Sequence, residues 1–140
     1  MKKGYFVFLI SIVVILIDQL TKYLTKGIDI EIIKNFFSLQ YTTNTGAAFG
    51  ILQNYNLALI FFSITILGLV LYYFDKLPEK KYVLISVGLF TGGLIGNLID
   101  RISHGYVHDF ISFAIWPSFN IADSGITLGA LGLVIWLWKK

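Results

Sequence analysis

Four stretches long and apolar enough to cross a bilayer alternate with polar connections along this chain. The first runs without a charge from Tyr5 to Ile17 behind Lys2 and Lys3, and its helical pattern continues through Asp18-Gln19-Leu20-Thr21-Lys22 to about Leu24. A span needs roughly 20 residues, so the pattern predicts transmembrane helices at about 5–24, 57–74, 82–99 and 121–138, together a single integral membrane domain over residues 1–140. The last three are free of charge apart from Asp123. Taken alone, the first stretch looks like the front of a signal peptide, yet no small-x-small cleavage site follows closely, so a retained helix is expected. Between the first two spans, Phe37-Ser38-Leu39-Gln40-Tyr41-Thr42 alternates apolar and polar, the period of a half-buried strand. Phe37, Leu39 and Tyr41 would then share one apolar face, turned toward lipid or the helix ends.

Charge orients these elements. Lys2 and Lys3, then Lys76, Lys80 and Lys81, then Lys139 and Lys140 fall on one side of a four-span chain. An excess of lysine marks the cytoplasmic side. Both termini are expected there, with residues 25–56 and 101–120 at the outer face. The predicted fold class is an all-α membrane protein: four transmembrane helices with a small extracytoplasmic β-structure on the outer membrane surface. Composition agrees, since 56% of the 140 residues are hydrophobic and 14% charged and mean hydropathy is +0.77. A net charge of +3, spread beside hydrophobic segments rather than gathered in a patch, argues against nucleic acid as a partner. With no cysteine, the chain has no disulfide, no thiol nucleophile and no thiolate metal ligand.

Polar residues inside or beside the spans are costly and tend to be functional. Asp18 and Lys22 stand four apart, and the simplest account is an ion pair that makes a polar helix end tolerable in lipid. In the third span, Gly88, Gly92 and Gly96 recur every four residues, which lets a neighbouring backbone approach closely. One face over, Gly93, Asn97 and Arg101 also recur, placing an amide and a guanidinium in line at the outer end. Taken alone, Arg101 reads first as an interfacial anchor or as a partner for Asp100 or Asp18. Asn120 is a good N-cap, and Asp123 three residues on resembles a capping box. Asp109, in Val107-His108-Asp109-Phe110-Ile111, would by itself be a solvated loop aspartate, although its apolar neighbours would raise its pKa by desolvation. His104 and His108 are four apart, but Gly105 intervenes and neither HExxH nor cysteine accompanies them, so no metal is expected. A serine–lysine dyad drawn from Ser38, Ser112, Ser118, Lys26 and Lys34 is singled out by no spacing.

Asp109 and Asp123 flank the boundary between the last two hydrophobic segments, so both carboxylates reach the same membrane face. Two facing carboxylates cannot both ionise easily. One remains a base that activates water for attack on a peptide carbonyl, and the other is an acid that protonates the leaving nitrogen. The helix dipole favours Asp123 as the ionised member. That chemistry uses no cofactor.

Nearly the whole length of the chain resembles the bacterial prolipoprotein signal peptidases, the signal peptidase II family. The motifs occur in family order: Asp18-Gln19-Leu20-Thr21-Lys22; Asn44-Thr45-Gly46-Ala47-Ala48-Phe49-Gly50; Gly92-Gly93-Leu94-Ile95-Gly96-Asn97-Leu98-Ile99-Asp100-Arg101; Val107-His108-Asp109-Phe110-Ile111; and Phe119-Asn120-Ile121-Ala122-Asp123. The resemblance implies an intramembrane aspartic endopeptidase with Asp109 and Asp123 as catalytic dyad. It implies that Asn44, Gly46, Asn97, Arg101, Asn120 and Ala122 shape the substrate site, whereas the structural polar pair of Asp18 and Lys22 is read from spacing alone. The implied substrates are diacylglyceryl prolipoproteins, cleaved just before the lipidated cysteine at the outer face of the bacterial cytoplasmic membrane, among membrane lipid. Gly46, Ala47 and Ala48 are candidate lining for the small residues that precede that cysteine. His108 is the least typical position, and as a neighbour of the dyad it bears on the local charge at mildly acidic pH. The main alternative is a small four-span transporter with membrane carboxylates, which would want an acid in mid-span. A noncatalytic assembly subunit would leave the paired carboxylates unexplained.

Overall fold

The computed structural model describes residues 2–46 and 51–139. Ala47 and Ala48, with Phe49 and Gly50 of the same motif, and Lys140 of the terminal lysine pair, lie outside the described residues. Four helices carry the predicted spans: α1 (Lys3–Leu24), α2 (Asn56–Tyr73, extended by a 3-10 turn at Phe74–Lys76), α3 (Lys81–His104) and α4 (Ile121–Trp138). Each is long and apolar enough to cross a membrane. Helix α3 runs five residues past the predicted 99, carrying Asp100 and Arg101 on helical backbone. It stops at Gly105, whose φ of 82° is the left-handed conformation that glycine adopts without strain and whose N–H donates to the Arg101 carbonyl.

Helix α3 is the central one, with 61% of its apolar window buried against 11% for α2. Its glycines set the approach of its neighbours. A Cβ at Gly88 would lie 2.6 Å from Ile10 Cβ, and one at Gly92 2.8 Å from Val14 Cβ, so both places are reserved for α1. A Cβ at Gly93 would meet the Ala122 carbonyl of α4. At the lysine-bearing end, Val7, Val83, Leu84 and Val87 form the apolar cluster, flanked by Val70, Phe74, Leu133 and Trp136. There Lys3 Nζ donates to the Phe74 and Asp75 carbonyls at 3.1 and 3.0 Å, satisfying groups that the end of α2 leaves free.

At the opposite end the chain builds a four-stranded antiparallel sheet in the order β1 (Asp29–Ile33), β2 (Phe37–Asn44), β3 (Val107–Phe113) and β4 (Trp116–Phe119). The predicted strand at 37–42 is β2, two residues longer. Asp109, read from sequence as a loop residue, belongs to β3. This strand lacks a two-residue period because Val107, His108, Asp109 and Phe110 are all buried, so both of its faces are covered.

The expected face of Phe37, Leu39 and Tyr41 is also corrected. Leu39 pairs with Ile111 and Thr42 with Asp109, so a register shift lies between them. Leu39 and Thr42 therefore share a face, and the bulge turns Tyr41 to the other one, where its ring lies 4.3 Å from that of His108. Phe37 stays on the first face, stacked on Phe113 at 5.0 Å.

Candidate active site

The start of α4 is set by its own cap. Asp123 N–H donates to Asn120 Oδ1 at 2.8 Å, and Asn120 N–H donates to Asp123 Oδ2 at 3.2 Å, the reciprocal capping box. With its oxygen committed to the helix, the Asn120 amide must turn its nitrogen the other way, and Nδ2 donates to Asp109 Oδ1 at 2.7 Å. One buried asparagine thus holds both aspartates. Asn97 repeats the device from α3: its oxygen accepts from Lys22 Nζ at 3.1 Å and Asn120 Nδ2 at 3.1 Å, which aims Nδ2 at Asp123 Oδ1, 2.8 Å away. The other oxygen of Asp109 accepts from Asn44 Nδ2 at 3.0 Å, and Asn44 Oδ1 receives the Gly46 N–H at 2.9 Å.

The two carboxylates differ in surroundings. Asp109 is 2% exposed, and Asp123 is half-buried at the cleft wall. Burial, with the charge of Asp123 second, pushes the Asp109 carboxyl up to about 7, against the amides of Asn44 and Asn120 and the more distant Lys22, which favour its ionised form. Desolvation wins because neutral amide donors recover only part of the lost hydration. An acid that holds its proton near neutrality thus stands beside a second carboxylate, the pairing that general acid–base hydrolysis needs.

Both line a cleft of about 1040 Å³ with Asn44, Asn97 and Arg101 around them and Leu59, Phe62, Leu94, Ile126 and Leu128 further along. The lining around the dyad is polar, and that from α2 and α4 is mainly apolar, with Leu59, Phe62, Ile126 and Leu128 beside Ser63 and Thr127. Arg101 points to the cleft rather than to Asp100 or Asp18: Nη2 donates to the Gly46 carbonyl at 2.9 Å, while Nε is buried without a partner among the described residues. Of the residues singled out in the sequence, Asp109, Asp123, Asn44, Asn97, Arg101 and Asn120 converge here with Gly46 at the edge. Ala122 is fully buried behind the dyad and presents its N–H to Asp18.

Asp18 and Lys22 do pair, at 2.7 Å, and Lys22 also reaches Asp100 Oδ2 at 2.8 Å. Asp100 drew attention in the sequence only as a possible partner of Arg101. Its one signal was that it is the single acid of the third motif. His108 projects from the face of β3 opposite Asp109, beside Tyr41, and lines a smaller cavity with Lys22 and His104. Burial and then the Lys22 charge lower its pKa, which disfavours a charged ring beside the dyad. Ser112 and Ser118 hydroxyls lie 2.6 Å apart and satisfy each other.

A family model described as signal peptidase (SPase) II matches residues 10–139. A lipoprotein signal peptidase of Halothermothrix orenii is 42% identical over 139 residues, spanning 96% of this chain and 96% of the relative. Another, of Caldanaerobacter subterraneus, is 44% identical over 124 residues, spanning 84% and 86% of the two chains. Among solved structures, a bacterial membrane enzyme determined by the in meso method at 2.3 Å resolution superposes with a TM-score of 0.86 at 34% identity, covering 95% of this chain and 87% of the other.

Proposed function

The chain belongs to the signal peptidase II family, and from that premise we propose that it is an aspartic endopeptidase that removes signal peptides from diacylglyceryl-modified prolipoproteins. Removing signal peptides from prolipoproteins is the activity its family membership supports over a four-span transporter. The aspartic mechanism rests above all on Asn120, which ties both carboxylates into one buried network at the head of the cleft. Asp123 acts as the base: it stands in the first turn of α4, where the helix dipole favours negative charge. It takes a proton from a water between the carboxyl groups as that water's oxygen bonds to the scissile carbonyl carbon. Asp109, neutral at this point, hydrogen-bonds the developing oxyanion and then protonates the leaving nitrogen as the C–N bond breaks. The products are a signal peptide with a free carboxylate and a lipidated cysteine with a free amine.

Substrate fits the cleft in two parts. The polar head, lined by Arg101 and Asn44, suits the peptide backbone. The apolar part between α2 and α4 suits the signal peptide helix and the acyl chains. We place the sheet, the dyad and the head of the cleft at the outer face of the cytoplasmic membrane, with both termini inside and residues 1–140 acting as one integral membrane domain. The gathering of Lys2, Lys3, Lys76, Lys80, Lys81 and Lys139 at the other end supports this. Lipid on the cysteine confines the scissile bond to the depth of the dyad, since each buried methylene adds roughly 0.8 kcal/mol to partitioning. Purified protein should cleave a diacylglyceryl precursor in detergent micelles, and should cleave its unlipidated and Cys→Ser forms far more slowly. Equal rates on all three would refute the lipid requirement, and no cleavage of any would refute the function.

A further inference from the structure

Behind the cleft, Asp18, Lys22 and Asp100 are buried together, at 0%, 5% and 4% exposure. Lys22 Nζ sits between the two acids, bonded to Oδ2 of each at 2.7 and 2.8 Å. The remaining bonds of those acids go to specific places. Asp18 Oδ1 accepts the N–H of Ala122 at 2.8 Å, and Ala122 immediately precedes Asp123. Asp100 Oδ2 accepts the N–H of His108 at 3.2 Å, and His108 immediately precedes Asp109. We propose that Asp18, Lys22 and Asp100 form a clamp of positioning residues that sets the separation of the two carboxylates by holding the backbone N–H just upstream of each.

Tolerating a polar helix end in lipid would need only the Asp18–Lys22 pair, which α1 can make by itself. The clamp spans three helices and a strand, and each bond fills a place where regular structure leaves a donor free. Ala122 is in the first turn of α4, where no intrahelical acceptor exists for its N–H. Asn120 caps the Asp123 N–H, and Asp18 takes the one before it. On β3, the partner strand β4 pairs only as far as Ile111. Beyond that point the edge of β3 is completed by Asp100 at His108 N–H and by Asn120 Nδ2 at the His108 carbonyl, 3.3 Å. Lys22 neutralises part of the charge and makes the two holds one unit. It also donates to Asn97, which holds Asp123 directly. Gly96 leaves room for the assembly, since a Cβ there would lie 2.7 Å from Asp18 Oδ2.

The clamp rests on the aspartic reading proposed above, and the test separates the two. Steady-state kinetics on a lipidated precursor would compare Asp18→Ala and Asp100→Ala with Asp18→Asn and Asp100→Asn, which keep an oxygen for the backbone N–H. Asp109→Asn reports on the dyad, and Ser11→Ala, which removes a bond between α1 and α3 far from the cleft, reports on stability alone. The alanine variants should lose kcat at least about tenfold with KM within about twofold, and the asparagine variants should recover most of it. The pH–rate profile distinguishes charge from geometry. The dyad is faced by Asp18 and Lys22 from α1 and by Arg101 from α3, and Asp100 bears on it through Lys22 and Arg101. Removing one of those acids displaces both limbs of the profile in the same direction, whereas a wider carboxyl separation weakens their repulsion and draws the limbs together. Displacement alone is expected for asparagine, and displacement with narrowing for alanine. Where the alanine variants do not fold, the asparagine profiles decide, and narrowing there overturns the clamp. So do equal kcat losses for asparagine and alanine, a loss confined to KM, or a loss that follows melting temperature along the Ser11→Ala line. Turnover by Asp109→Asn would instead overturn the dyad, and the clamp with it.

Discussion

Replacing Asp109 with asparagine should abolish cleavage and, at the same time, make the protein relatively more stable as pH rises. Folding drives this carboxyl from an ordinary 3.8 to about 7, first through burial and then through the charge of Asp123. Each unit is worth roughly 1.4 kcal/mol, so ionised Asp109 opposes folding by about 4 kcal/mol at high pH. The sign follows from proton linkage. A carboxyl whose folded pKa is raised favours the native state fully below its unfolded pKa, and that advantage is lost as pH rises through the folded one. Between about pH 5 and about pH 8 the wild type should therefore lose about 2 to 3 kcal/mol that the variant keeps. Asparagine at 109 also sets an amide N–H against the donor of Asn44 or Asn120, a cost on the order of 1 to 3 kcal/mol. That cost does not vary with pH. The quantity to measure is thus the difference in melting temperature between variant and wild type at the two pH values, in one detergent. Each kcal/mol corresponds to roughly 2 to 4 °C in a domain somewhat larger than this one, so the difference should move by several degrees in favour of the variant. A difference that stays constant with pH would refute the desolvation account of Asp109, and cleavage by the folded variant would remove it from the dyad.

Asp123→Asn should also abolish turnover, and the double variant should be no worse than either single one, because residues acting as a unit are non-additive; additive losses in kcat would contradict a shared mechanism. Arg101→Ala should reduce kcat/KM by the equivalent of about 1.5 to 3 kcal/mol, the worth of a charged hydrogen bond in a desolvated site, whereas a lowered melting temperature with unchanged kcat/KM would make it an anchor. Gly92→Ala should destabilise the protein in thermal unfolding, since its Cβ would lie 2.9 Å from the Ser11 carbonyl on α1; unchanged stability would show that α1 can retreat freely. A cysteine at position 35 should react with an impermeant thiol reagent in intact cells and one at position 78 should not; the reverse labelling would invert the topology.

The spans, the cap and the close helix approach were legible because each is written locally. Apolar runs of span length report the solvent a helix will meet, Asn120 and Asp123 are three apart and bond each other, and Gly88, Gly92 and Gly96 mark one helical face. The tertiary structure decided what is joined across distance. Asp18 and Ala122 stand 104 positions apart and Asn44 and Asp109 stand 65 apart, and no period relates either pair. Periodicity also fails where both faces of an element are covered, as in β3, and where a bulge resets the phase, as at Tyr41. Lys22 shows the limit most clearly. Spacing alone pairs it with Asp18, and that pair forms. Its second bond, to Asp100, exists because the glycine face of α3 lets α1 come close enough for one ammonium to reach acids on two helices. Hydropathy along a chain records which face meets lipid, but a charge buried between helices is placed by the packing of all of them at once.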